Sequence, residues 1–98
     1  MKNELKDKLK SEIDQADWSM LKVHHDNGAL FVVSNKLNLV DVAAAVALDE
    51  VNLVKIWLDN GDLRRLEDNH VKEFEKNQQV KIGDVVIVQP YVLMKLFD

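Results

Sequence analysis

The chain has 98 residues, 47% of them apolar and 31% charged, with a net charge of −4 at pH 7. That length holds one modest hydrophobic core, and the acidic balance disfavours general binding to nucleic acid or anionic membrane. Cysteine does not occur, which removes disulfides, thiolate metal sites and cysteine nucleophiles and fits a reducing cytoplasm, the expected location.

Met1 to Gln15 alternates charge with isolated apolar residues, so no signal-peptide core is expected, and no stretch reaches membrane-spanning length. Leu5, Leu9 and Ile13 recur every four residues, with Ala16 next, which predicts an amphipathic helix over about 3–15. Its lysines Lys6, Lys8 and Lys10 are interleaved with Asp7 and Glu12, a mixed-charge face rather than a basic stripe. Asp17 is placed to cap a second helix, starting at Trp18 and stopping at Asn27-Gly28. The apolar run from Ala29 to Val33 then reads as a buried strand.

The next helix has the strongest signals. Asn38 is its N-cap, Asp41 is a capping-box-like acid, and Leu37 can staple onto Val42. Its inner face would be Leu39, Val42, Ala43 and Val46. Asp49 is expected to cap the following helix, which carries Val51, Val54 and Leu58 on one stripe, has Leu53 and Trp57 beside it, and ends at Asn60-Gly61. Core packing is the expectation for Trp57. Leu63 to Leu66 reads as a short strand, and Asp68 as the cap of a polar helix to about Lys76 anchored by Val71 and Phe74. Val80 and Ile82 alternate ahead of an expected Gly83-Asp84 turn, and Val85 to Val88 is the strongest strand signal. Pro90 cannot donate to a ladder and marks a bulge or an edge, past which the apolar residues Tyr91 to Phe97 continue the strand.

This order predicts a single α+β domain over 1–98, with a helix-turn-helix-containing, winged-helix-like core and a small β-sheet. A helix-turn-helix would normally point to DNA. From Asn38 to Asp62, however, the acids are Asp41, Asp49, Glu50, Asp59 and Asp62, and Lys55 is the one base. A helix that reads DNA must approach a polyanion, and this one is charged the wrong way.

Catalytic and metal chemistry find no pattern to rest on. His24 and His25 are adjacent, so on a helix they point about 100° apart and cannot share an ion as residues four apart can. Asp41, Asp49 and Asp68 are explained as helix-end acids, and the serines Ser11, Ser19 and Ser34 sit in no nucleophile context. Gly28, Gly61 and Gly83 are isolated rather than a phosphate-cradling loop. The expectation is a non-enzyme with no cofactor and no metal.

Several segments together carry a family resemblance: Leu37-Asn38-Leu39-Val40-Asp41-Val42-Ala43, then Trp57-Leu58 before Asn60-Gly61-Asp62-Leu63, and Val88-Gln89-Pro90-Tyr91-Val92-Leu93. With Trp18 and the Gly28 to Val33 stretch they resemble domain of unknown function 2288, a family of small bacterial proteins. The resemblance spans almost the whole chain. It implies a compact bacterial single domain and brings no activity, substrate or site residues.

The remaining reading is a binding or protein-interaction module, acting through a homodimer or a protein partner. Its candidate surface is Tyr91, Leu93, Met94 and Phe97, an apolar stretch at an expected sheet edge. The alternative is a DNA-binding regulator of winged-helix type, with Asn52 and Lys55 in the groove and Arg64 and Arg65 on the backbone.

Overall fold

Helices and strands are interspersed along the computed structural model, which describes residues 2–97. In chain order they are α1 (Lys2–Ser11), β1 (Asp14–Asp17), α2 (Trp18–Asp26), β2 (Leu30–Val33), α3 (Leu39–Ala47), α4 (Val51–Asn60), β3 (Leu63–Arg64), α5 (Asp68–Lys76), β4 (Lys81–Val88) and β5 (Tyr91–Leu96). The strands form one mixed sheet in the order β1-β4-β5-β2-β3, in which only the β5–β2 pair is parallel.

Successive residues of a strand face opposite sides of the sheet, and the apolar runs here feed two cores. Phe31, Val33 and Leu93 point to the side covered by α1, α3 and α4, where Leu9, Leu39, Val42, Ala43 and Ala44 complete the core. Leu30, Val32, Val92 and Met94 point to the other side, covered by α2 and α5 through Trp18, Leu21, Val71 and Phe74. The result is an α+β domain with helices on both faces. Such uninterrupted apolar strands are what a doubly covered sheet requires.

The helix starts follow cap chemistry. The Asp17 carboxylate accepts from Met20 N–H at 3.1 Å, and Asn38 Oδ1 accepts from Val40 and Asp41 N–H at 2.9 and 3.3 Å. Gly28 and Gly61, with φ of 75° and 84°, stop α2 and α4 in the left-handed conformation that glycine adopts without a Cβ clash.

Several local expectations are corrected. The first helix ends at Ser11, and Ala16 belongs instead to β1. Asp-Gln-Ala-Asp has no strand propensity of its own, so pairing with β4 makes it a strand. Gly83 is not a turn but lies inside β4, where a Cβ would stand 2.6 Å from Lys95 O on the adjacent β5. A bulge on β4 opposite Ala16 and Asp17 interrupts the alternation just there. Pro90 sits in the β4–β5 hairpin turn, and β5 is the central strand of the sheet rather than an edge.

Neither Asp49 nor Asp68 is an N-cap: Glu50 and Glu67 hold those positions, without a side-chain cap bond, and Asp68 is the first residue of α5. Asp49 instead ends α3, at φ 54°. Its N–H reaches Val46 O at 3.2 Å and Glu50 N–H reaches Ala45 O at 2.9 Å, the two-bond helix stop usually built around glycine. The expected helix anchored by Val71 and Phe74 forms as α5, at the chain position where a winged helix would carry its wing. Its flanking strands β3 and β4 are separated in the sheet by β5 and β2, so they make no hairpin.

Candidate functional site

Helix α4 follows α3 after three residues and lies over the β3 end of the sheet. None of its residues is buried. Val54 and Trp57, three apart, pack half-buried against the core, which fits the expectation for Trp57. The other apolar side chains flank that seam and remain open: Val51 is 68% exposed, Ile56 57%, Leu58 46% and Leu53 38%.

On one flank of α4 a groove of about 440 Å³ runs between the helix, the end of α3 and the sheet. Val51, Val54 and Leu58 form one wall, Ala45 and Val46 another, and Phe31, Leu63 and Leu93 the floor. Tyr91 closes the far side, its ring edge-on to Phe31 at 5.9 Å between centroids. Polar groups enter only at the rim, from Asp49, Glu50 and Lys55. An apolar concavity of this volume with a few polar groups is the usual form of a binding site. Its lining includes no Ser, Thr, Cys or His.

The structure divides the sequence-derived surface. Tyr91 and Leu93 meet in this groove, Tyr91 exposed at its lip and Leu93 buried in its floor. Met94 is fully buried on the opposite face of the sheet, and Phe97, although exposed, lies beyond the other end of β5. Met94 is therefore not available as surface, because the strand expected at an edge is the central one. The alternative set is likewise split. Asn52 and Lys55 are exposed on α4, but Arg65 donates to His25 O at 2.9 Å and Arg64 stands 3.5 Å from Glu67, a contact more electrostatic than hydrogen-bonded. Reading by element missed Phe31, Val51 and Leu58 as partners in one site. The visible signal was α4 itself, with six apolar residues in ten.

The opposite face is built differently. Buried Trp18 donates from Nε1 to Glu75 Oε1 at 3.0 Å, and Lys22 Nζ lies 3.2 Å from the same oxygen. The indole hydrogen bond, then Lys22, holds the Glu75 carboxyl below the ordinary carboxylate range. At the start of α2, Ser19 Oγ donates to Asp17 at 2.6 Å and, with the Met20 amide and Lys81, lowers that carboxyl too. His25 packs on Trp18 and His70 on Phe74. Among the described residues no three His, Asp or Glu side chains gather to hold a metal ion, and no helix is long and apolar enough to cross a membrane.

A domain with this mixed sheet, helices on both faces and a groove beside α4 has a known relative among solved structures. The solution NMR structure of PA1075 from Pseudomonas aeruginosa superposes with a TM-score of 0.76 at 31% identity, over 96% of this chain and 85% of that one. The chain belongs to the family described as Protein of unknown function (DUF2288), whose model matches residues 4–96. No curated protein matches it.

Proposed function

We infer that this protein is a non-catalytic interaction module of the cytoplasm, and that α4 with its groove is the contact surface. One observation carries the reading: a ten-residue helix keeps four large apolar side chains exposed while burying none. Exposed apolar side chains scattered singly need no explanation, but Val51 and Leu58 stand together at the wall of an apolar groove, with Leu53 and Ile56 on the other flank of the same helix. The groove's lining is mainly apolar and includes no Ser, Thr, Cys or His, which favours binding over catalysis.

The test is a photo-crosslinking side chain introduced at Ile56 or Leu58 in cells that make the protein, with Glu73 on α5 as the control position. Discrete adducts from α4 and none from Glu73 are expected. Absence of any adduct from α4 would reject the reading. Sedimentation of the intact chain tells a second copy from another protein as the occupant, since only a homodimer depends on this chain's own concentration.

The competing reading, a winged-helix type regulator, draws support from the exposure of Asn52 and Lys55 on the second helix of the α3–α4 pair. The acids around that helix oppose it. No duplex binding at physiological salt is expected. A gel shift that Arg64→Ala and Arg65→Ala jointly abolish would promote this reading instead.

A further inference from the structure

We propose that the α4 groove receives a short, basic amphipathic helix from another protein, with its apolar side chains between α4 and Tyr91 and its lysines or arginines toward Asp49. This rests on the interaction reading above and adds the chemistry of the partner. The groove borders α4 and is lined mainly by apolar side chains, which suits a helix laid into it with anchors three and four residues apart.

The rim supplies the charge. Asp49 and Glu50 line one end, Asp59 stands exposed on the outer crest of α4, and Lys55 is the base among them. Asp49 carries the most weight. It occupies a left-handed position that glycine fills at lower cost, and it is the one non-glycine residue with positive φ among the described residues. Its carboxylate is exposed at the groove's lip, where its place near the start of α4 gives folding at most a small dipole benefit and a cationic partner would gain a direct contact. A second copy, itself acidic at net charge −4, matches this rim less well than a basic partner does. Nucleic acid and anionic membrane are disfavoured by the same rim charge.

The experiment is selection from a displayed library of random peptides against the intact chain, with the Leu58→Glu variant as counter-target. Peptides enriched on the native chain should carry apolar residues at helical spacing and net positive charge. Synthetic versions should lose about tenfold in affinity when their lysines and arginines become glutamine, and lose a similar factor against Asp49→Gly. That variant should melt no lower than the native chain, so a lost contact is not confused with a lost fold. Enrichment of neutral or acidic peptides would overturn the charge assignment and leave the interaction reading standing. No enrichment from a chain that dimerises would assign the groove to a second copy. No enrichment from a monomer would sink both readings.

Discussion

Helices α4 and α5 cover opposite faces of the same sheet, and neither buries a residue fully. They solve that task with different sequences. In Asp68–Lys76, Val71 and Phe74 face the core and the rest of the nine residues are polar. In Val51–Asn60, Val54 and Trp57 serve the same purpose, yet Val51, Leu53, Ile56 and Leu58 are apolar as well and remain exposed. Two inward residues are thus enough to dock a helix on this sheet. The four additional ones on α4 are the side chains that the proposed partner would cover.

The largest effect that would sharpen this contrast lies under α5. Trp18→Ala removes a fully buried ring together with its bond to Glu75 and should cost about 3–5 kcal/mol in a denaturant melt. Leu58→Ala on α4 should cost no more than about 0.5 kcal/mol, the scale of ordinary surface substitutions. Comparable losses at the two sites would erase the distinction.

Smaller effects test the frame that holds α4. Asn38→Ala should cost roughly 1 kcal/mol by leaving the Val40 and Asp41 amides without their acceptor. Gly61→Ala should cost about the same, because its φ of 84° is strained for any residue with a Cβ. Neutral melts for both would mean that α3 and α4 begin or end elsewhere.

The polar anchoring of the α2–α5 face predicts an acid-sensitive stability. Asp17 and Glu75 both titrate lower in the fold than ordinary carboxylates do, Asp17 chiefly through Ser19 and Glu75 chiefly through Trp18. Their stabilising contribution is therefore present above the ordinary carboxylate range and is lost as pH falls through that range and below it. Melts of the native chain between neutral and strongly acid pH should show this decline, and Glu75→Gln should flatten it. An unchanged acid limb in that variant would remove Glu75 from the explanation.

Much of the fold was legible in local sequence, wherever one residue does one short-range job. Asp17 and Asn38 announced helix starts, Gly28 and Gly61 announced stops, and the apolar runs at Ala29 to Val33 and Val85 to Val88 announced strands. The failures share a non-local cause. Asp14–Asp17 is a strand only because β4 lies beside it, and Gly83 is required only because Lys95 O approaches from β5. Asp49 looked like a cap because acids cap helices, while the backbone used it to stop the preceding helix. The central position of β5 depends on its parallel pairing with β2, about sixty residues earlier, which no local pattern records. The groove shows the same limit, since Phe31, Val51 and Tyr91 become one site only after the sheet has assembled.

The most direct measurement is the stability of a chain in which Val51, Leu53, Ile56 and Leu58 are all glutamine, a residue that supports a helix well. If the outer flanks of α4 serve a partner, the four changes together should shift the free energy of unfolding by no more than about 1 kcal/mol while abolishing adducts from a crosslinking side chain at Lys55. A loss of several kcal/mol would contradict this, because those side chains would then be part of what holds the domain together.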